Sequence, residues 1–395
     1  MPRVLLLVPS FTYRAADFVA AAGRLGAEVV VGSDRRQALA KAMGDRAVVV
    51  PLENVAAGVA AIEELHGRAP IHAVVAVDDQ GILVAATAAD ALGFPHNPPD
   101  AVARTRDKSA MRAALRADLV SQPDFVVLGA GDGAAAPAYP CVVKPTGLSA
   151  SQGVIRVDDP TDLAATIARV RAICGDHNAP VIVETYVSGD EIAIEGLLED
   201  GKLHVLAVFD KPDPLEGPYF EETLYVTPSR HDVGAAADLV QRGCDALGLR
   251  EGPVHAEVRL GASGEAWLIE VAARSIGGLC SRALSFGAGI SLEEVIVRHA
   301  LGRPLADLSR ERAASGVMML PIARAGMLDR VDGQDAARRV PGVVGLEITV
   351  ARGRKVVPLP EGSRYLGFVF ARGATPADVE SALRAAHACL DVVIT

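Results

Sequence analysis

The chain has 395 residues, half of them hydrophobic and 22% charged, with a formal net charge of −10 and a mean hydropathy of +0.27. That length exceeds one ordinary core and predicts two or three packed units. No run approaches the roughly 18 uninterrupted apolar residues of a membrane span, so no membrane association is expected, and the acidic balance argues against a nucleic-acid surface, which selects for basic patches. The opening Met1–Pro9 stretch is too short an apolar run for a signal peptide and reads as a buried first strand. Five widely spaced cysteines with no Cys-x-x-Cys pair point to reduced thiols and a cytoplasmic protein rather than a disulfide or zinc framework.

Up to residue 104, short apolar runs (Val4–Val8, Glu28–Val31, Ala47–Val50, Ala73–Val77) alternate with helical spacing near 15–26, 53–66 and 80–92. That alternation predicts a parallel sheet flanked by helices. The Pro-rich patch Phe94–Pro99 closes this unit. A helix is expected next, capped by Asp107 or Thr105, with Lys108 in its first turn.

"GAGDGAAAPAYP" (129–140) contains a Gly-x-Gly-x-Gly run, but Ala and Pro follow it instead of a helix, so it reads as a connector. Strands are expected at Cys141–Lys144, Val154–Val157, Val181–Tyr186, Glu191–Leu198 and Leu203–Phe209, and helices at 160–174, 232–248 and 291–301. The tail from 314 returns to strands and ends in a helix near 376–389. Gly196–Lys202 imitates a P-loop, but Leu203 stands where Ser or Thr is needed, and Asp200-Gly201 between apolar runs signals a hairpin.

Two stretches carry chemistry. In "CVVKPTGLSASQGV" (141–154), a strand delivers Lys144 and Pro145 stops the ladder. Small residues follow, among them Gly147, Ser149, Ser151 and Gly153, and these let backbone N–H groups approach an anion closely. A mobile surface hairpin with an incidental lysine remains the alternative. In "VHAEVRLGASGEAWLIEVAAR" (254–274), a hairpin with Ala262–Glu265 as its loop sets Glu257 directly opposite Glu270. Facing like charges destabilise a sheet, and a divalent cation held by both explains their presence. A salt bridge from Arg259 to one acid, or a loop longer by one residue, are the competing readings. Glu257 shares its face with His255 and Arg259, while Val254, Ala256, Val258 and Leu260 face the other way. The Pro-interrupted segment 209–229 reads as an active-site loop rather than a helix or central strand, with Lys211 and Glu222 as its candidates.

Taken in order, the helix-opening Lys108, the Lys144-Pro145 strand with its Gly/Ser loop, "VIVETYVSGDEI" (181–192) and the two-acid hairpin resemble the ATP-grasp superfamily. The closer likeness is to its carboxylate–amine ligases of the L-amino-acid ligase type, and "VMMLPIARAG", "VPGVVG" and "LGFVFARG" extend it into the tail. The resemblance implies an ATP-grasp fold, α+β in its ATP-binding part. A Rossmann-like domain at 1–104 would precede the ATP-grasp domain at 105–310, divided at 187/188 into a small ATP-binding and a central metal-binding subdomain, and a β-rich domain at 311–395 would follow. It further implies that Lys108, Lys144 and the Gly147–Gly153 loop contact the ATP phosphates. Adenine would lie on the backbone of Glu184 and Val187, Glu191 would hold the ribose, and Glu257 and Glu270 would hold Mg²⁺, or Mn²⁺ in its place. Arg274, with the Gly277-Gly278 backbone, would meet the substrate carboxylate or acyl phosphate. Many relatives carry Asn two residues after the second metal glutamate; Ala272 here leaves the number of metal ions open.

The activity implied is amide formation from a small-molecule carboxylate and an amine through an acyl phosphate, by a homodimer. A free amino acid, another amine or a carrier protein remain open as acceptor. A purine-pathway ribonucleotide ligase or carboxylase on the same fold, and a non-catalytic nucleotide-binding regulator, are the alternatives.

Overall fold

The computed structural model describes residues 1–37, 40–305 and 307–395. Strands β1 (Arg3–Leu7), β2 (Glu28–Ser33), β3 (Ala47–Val49) and β4 (Ala73–Ala76) form a parallel sheet in the order β3-β2-β1-β4. Helices α1 (Ala15–Arg24), the short α2 (Ala40–Met43), α3 (Val55–Arg68) and α4 (Ile82–Leu92) alternate with them. Leu5 and Leu7 face one layer with Ile62, Leu65 and Val84, while Val4 and Leu6 face the other with Phe18, so β1 is buried on both sides. Continuous apolar strands of this kind mark a parallel sheet covered on both faces.

The Pro-rich patch ends in a helix that the sequence reading did not expect, α5 (Pro99–Arg106). Its proline sits at the first helical position, where a missing N–H costs nothing. Asp107 then caps α6 (Lys108–Ala117), accepting from the Ser109 and Ala110 amides at 2.8 and 3.3 Å. Thr105 is not the cap; it lies within α5, where its hydroxyl donates to the Val102 carbonyl.

A small antiparallel sheet, β5 (Phe125–Leu128), β8 (Val181–Thr185), β6 (Cys141–Pro145) and β7 (Ile155–Val157), carries α7 (Leu163–Ile173) on one face. The central strands β9 (Asp190–Glu199) and β10 (Lys202–Lys211) meet at Asp200-Gly201, both with positive φ, as the hairpin reading requires. One eight-stranded sheet then runs β13-β12-β9-β10-β11-β14-β18-β16. It takes in β11 (Leu224–Thr227), β12 (Gly252–Leu260), β13 (Ala266–Ala272), β14 (Ala314–Leu320), β16 (Val343–Ile348) and β18 (Gly367–Gly373), so it crosses from the central region into the tail through the β11–β14 pair. The strand at β11 corrects the reading of 209–229 as loop throughout: Pro214 and Pro218 lie in the irregular stretch, and Leu224–Thr227 is a buried central strand. Around the sheet lie α8 (Gly234–Leu247), α9 (Leu292–Ala300), α10 (Gln334–Arg338) and α11 (Pro376–Ala388). A three-stranded sheet of β15 (Gly326–Asp332), β17 (Lys355–Val356) and β19 (Asp391–Ile394) completes the tail.

The β12–β13 hairpin does bring Glu257 opposite Glu270, though not through a four-residue loop. Gly261 donates to the Glu265 carbonyl at 2.8 Å, leaving a three-residue loop, and Leu260 pairs with Ala266. A bulge at Ile269 restores the register, since Val258 pairs with Leu268 but Glu257 with Glu270. On the apolar face Val254, Ala256, Val258, Leu268 and Val271 pack against α6 and α8. A Cβ on Gly243 of α8 would lie 2.4 Å from Leu268, so glycine is what allows this close approach.

Arg112 of α6, wholly buried, holds the bulge. It donates to the Leu268 and Ile269 carbonyls at 3.1 and 2.7 Å and forks onto both oxygens of Glu184 at 2.6 and 3.2 Å. Burial alone would raise the Glu184 carboxyl; Arg112 and Lys144 outweigh it and hold it at about 2. Replacing Arg112 by Met leaves two carbonyls and one carboxylate oxygen without a donor. Arg112→Met is expected to destabilise the fold by about 3 kcal/mol, the scale of breaking a buried ion pair, as read by urea denaturation. Because the folded pKa of Glu184 lies below its ordinary 4.5, the pair's contribution is present above that pH and is lost as pH falls through about 2. The variant should show a smaller loss over that window, and an unchanged midpoint would refute the assignment.

Candidate functional site

A cavity of about 790 Å³ lies where the N-terminal sheet, the small sheet and the eight-stranded sheet converge. Its walls include Lys108, Lys144, Gly147, Ser149, Ser151, Glu184, Val187, Glu191, Glu222, Glu257, Glu270, Arg274, Gly277 and Gly278. Of the candidates named from sequence, only Lys211 and Gly153 are not among the lining residues.

Lys108 and Lys144 approach from the small-sheet side, each almost buried. The Lys108 ammonium donates to the Leu148 carbonyl at 2.8 Å and stands 3.5 Å from Glu270. Lys144 pairs with Glu184 at 2.7 Å. The side chain of Glu184 is thus part of the scaffold, shared between Lys144 and Arg112. In the Gly/Ser loop Ala150 and Ser151 adopt φ of 55° and 54°, a left-handed turn that exposes successive amides. The Gly153 amide takes no part in that concavity. It donates to the Pro360 carbonyl at 2.9 Å, and Gln152 donates to the Glu361 carbonyl, so the loop is docked on the tail.

Two further candidates are also corrected. Lys211, at the end of β10, sits beneath the cavity wall: its ammonium donates to Glu191 at 2.6 Å, to Glu257 at 3.0 Å and to Glu222, over the Tyr225 ring. Burial would favour its neutral form, but the three carboxylates hold it well above its ordinary value, so it is a fixed ammonium and not a group aimed at a substrate. Glu191 has both oxygens engaged, by Lys211 and by Arg259 at 2.9 Å, which leaves it poorly placed to hold ribose hydroxyls. Arg259 also donates to the Val187 carbonyl at 3.0 Å, so only part of that hinge backbone is free.

Glu257 and Glu270 stand side by side on the cavity face. Burial would raise Glu257, but Lys211 and His255 hold it well below the ordinary range. Glu222 goes the other way: burial and Glu257 push it up, against Lys211, to about 7. His255 pairs through Nδ1 with Glu195 and faces Glu257 at 3.6 Å through Nε2. Burial would lower this imidazole, but Glu195 raises it to about 9. The other oxygen of Glu195 accepts from the Ile276 amide at 2.8 Å, so one buried dyad ties the Glu257 strand to the turn before the glycine pair. Opposite His255 the register places Ala272, whose methyl leaves that face to the imidazole.

Glu191, Glu222 and Glu257 lie close enough to hold a metal ion, but the Lys211 ammonium already fills the space among them. The Glu257–Glu270 pair, open to the cavity, suits a cation better, with Lys211 at 3.0 Å from Glu257 and Lys108 at 3.5 Å from Glu270 as the competing charges.

Arg274 meets Asp79, not Glu270: its Nε donates to Asp79 at 2.8 Å and its Nη1 to the Ser275 carbonyl at 3.0 Å. Its Nη2 has no partner among the described residues. Burial would weaken its charge, and Asp79 more than compensates. Ser275 is in turn fixed by the buried Arg14, which also donates to the Val77 carbonyl. Gly278 has φ +62°, and a Cβ there would meet the Phe368 ring at 2.8 Å, while a Cβ on Gly277 would meet nothing within 4 Å.

Sequence reasoning missed Arg112, Glu195 and Asp79 as site-building residues and gave His255 no role. Arg112 had a signal, since it follows Lys108 by one helical turn on the face of Met111 and Leu115. Asp79 also had one, at the carboxyl end of a parallel strand, where ligand sites form. Glu195, set between Ile194 and Gly196 in the apolar middle of its strand, had its charge alone.

Residues 19–96 match the ATP-grasp N-terminal domain, 137–283 the ATP-grasp domain and 318–395 the L-amino acid ligase C-terminal domain 2. Alanine–anticapsin ligase of Bacillus subtilis is 30% identical over 243 residues, 55% of this chain and 51% of that protein. Its Bacillus amyloliquefaciens counterpart is 31% identical over 246 residues, 55% and 52% of the respective chains. The chain thus spans about half the length of the curated relatives it matches. The crystal structure of the L-amino acid ligase from Bacillus licheniformis superposes with a TM-score of 0.84 at 24% identity, covering 100% of this chain and 99% of that one. A carboxyaminoimidazole ribonucleotide synthase from Aspergillus clavatus, complexed with ATP, gives 0.75 at 16% identity over 98% and 99%. The chain belongs to the ATP-grasp superfamily and carries a C-terminal domain of the L-amino acid ligase type.

Proposed function

We propose that this protein is an ATP-dependent carboxylate–amine ligase that joins an amino-acid carboxylate to an amine. The observation that carries the reading is the arrangement along one cavity wall. Two lysines, two facing carboxylates and an arginine with a free Nη2 follow one another there, ending at a glycine pair. A volume of about 790 Å³ is of the size of small-molecule sites. Match of the tail to the L-amino acid ligase C-terminal domain favours this activity over the ribonucleotide-ligase reading, and the retained lysines, acids and Arg274 favour turnover over a regulatory role.

Lys108, Lys144 and the amides of residues 147–151 would take the ATP phosphates. Glu257 and Glu270 would hold Mg²⁺, which neutralises phosphate charge when bound. Arg274 Nη2 and the Gly277-Gly278 amides would orient the substrate carboxylate. One carboxylate oxygen attacks the γ-phosphorus and the bond to the β-phosphate oxygen breaks, giving acyl phosphate and ADP. The neutral amine then attacks the acyl carbon, the carbon–oxygen bond to phosphate breaks, and a proton leaves the nitrogen. These residues act by position and charge, with no covalent enzyme intermediate. Residues 147–152, Leu215, Phe220, Glu222 and residues 363–365 line the cavity and would keep water from the acyl phosphate.

The experiment that tests the reading is phosphate release from ATP across the amino acids, with product identification by mass. Glu270→Gln should abolish turnover while the protein stays folded, because removing one charge spoils the cation site and relieves repulsion with Glu257. Wild-type activity at ordinary magnesium would sink the metal role.

Arg274→Lys should keep the Asp79 ion pair but lose the planar fork that leaves Nη2 for the substrate. The turnover rate is expected to fall by roughly 100-fold, the scale of one preorganised oxyanion donor, with ATP affinity by calorimetry nearly intact. Near-normal turnover would reduce Arg274 to a partner for Asp79.

A further inference from the structure

Arg274 carries a substrate role in the reading above, yet its own hairpin fixes little of its direction. Its Nη1 donates to the Ser275 carbonyl at 3.0 Å, a contact within the turn. The one side chain that holds the guanidinium is Asp79 of the N-terminal sheet, 195 positions earlier, whose Oδ1 accepts from Nε at 2.8 Å. A guanidinium is planar, so fixing Nε and Nη1 also fixes where the free Nη2 points.

Asp79 is itself firmly placed. It opens the short 3₁₀ turn that follows β4, where the Asp78 carboxylate accepts from its amide at 3.0 Å. Gly81 closes that turn against the sheet, since a Cβ there would lie 3.1 Å from Leu7 and 3.3 Å from Ala76. Arg14 ties the same segment to the Arg274–Ser275 turn a second time, donating to the Val77 carbonyl at 3.0 Å and to the Ser275 hydroxyl at 2.9 Å. The surrounding charges add direction. Burial would raise the Asp79 carboxyl, but Arg274 first, then Arg106 and Lys108, hold it below its ordinary value. Against burial, the charge of Arg274 is sustained by Asp79 first, then by Glu270 and Asp78. A buried guanidinium needs a counter-ion, and Asp78 is engaged as the cap of its turn. Glu270, four residues back on the hairpin, is therefore the carboxylate to which Arg274 would turn without Asp79.

Resting on the ligase reading above, we infer that Asp79 is a positioning residue for the reaction: through it the N-terminal sheet turns Arg274 so that Nη2 meets the substrate carboxylate and stays off Glu270. Asp79 touches no reacting atom in this assignment and acts through Arg274 alone. Pinned backbone on both sides of the ion pair is what such precise support requires.

The test is a double-mutant cycle on turnover, read as phosphate release and product mass with pairs of L-amino acids. Asp79→Ala is expected to lower turnover by roughly 100-fold, the scale of misplacing a reacting group by about 1 Å, while the KM for ATP stays within about two-fold. In the Arg274→Lys background the same substitution should cost no more than about two-fold, because the fork that Asp79 orients is already gone. A merely structural role predicts the reverse, since a loosened interface slows both backgrounds alike and raises the KM for ATP as well. Asp79→Asn keeps an oxygen for Nε and the shape of the interface, so it serves where the alanine variant does not fold. Its smaller loss, about ten-fold for a charge-assisted bond made neutral, must vanish in the same background. Additive losses overturn the assignment, as does near-normal turnover in Asp79→Ala. If wild type releases phosphate with no amino-acid pair, the ligase reading itself falls, an outcome distinct from an active enzyme indifferent to Asp79.

Discussion

Two carboxylates facing each other across a hairpin repel, and the site depends on the scaffold enforcing that arrangement. The enforcing interaction is Arg112. The three-residue loop alone would leave the register one residue out; the bulge at Ile269 recovers it, and Arg112 accepts the consequence by donating to two carbonyls there. Because the same guanidinium grips Glu184, and Glu184 grips Lys144, one buried charge sets Lys144 and Glu270 relative to each other. A one-residue slip would turn Glu270 to the face of Val258 and Leu268, into the core.

The cations and acids of the cavity are mutually paired before any ligand arrives. Isolated charges at such depth are costly, and pairing is the means by which a chain can carry so many of them. Lys108 stands beside Glu270 and Lys211 beside Glu257, and Lys211 with His255 holds Glu257 in its charged form. In the proposed reaction Glu257 and Glu270 would hold the cation that neutralises them, and Lys108 would then be free to turn from Glu270 toward phosphate. Lys211 differs, having three carboxylates around it and no path into the cavity, and remains a structural counter-ion.

The sequence made the main elements and the hairpin acids legible because both rest on local rules, namely periodicity and strand alternation. The N-terminal strands were found within one or two residues, and Asp107 was among the named caps. What was not legible depends on long-range pairing. Arg112 reaches its partners 72 and 156 positions away, and Glu195 looks like an odd residue in an apolar strand until His255 is beside it. The opposed acids were reached through a four-residue loop that does not exist, because a bulge leaves no mark in the apolar pattern. Leu224–Thr227 was passed over for a similar reason: four residues after a Pro-rich loop carry little periodic signal, and its place in the sheet comes from pairing with β14, nearly a hundred residues on.

That pairing also explains why the tail belongs to the site. The eight-stranded sheet passes through β11 into β14 and β18, so Phe368 on β18 is fixed relative to Tyr225 by continuous hydrogen bonding, and its ring abuts Gly278. The N-terminal sheet arrives by a different route, through apolar packing of Val4, Leu6 and Phe18 with Leu292 and Val295, joined by the Arg14–Ser275 and Asp79–Arg274 contacts. One boundary is therefore a hydrogen-bonded ladder and the other a packed apolar surface with polar contacts at its edge. The Gly/Ser loop has a third kind of attachment, two hydrogen bonds onto residues 360–361. Such a tie is slighter than the buried Arg112–Glu184 pair that fixes the small sheet itself, so the loop is the part best able to move while the sheet, the Glu257–Glu270 face and the Arg274 turn keep their shape.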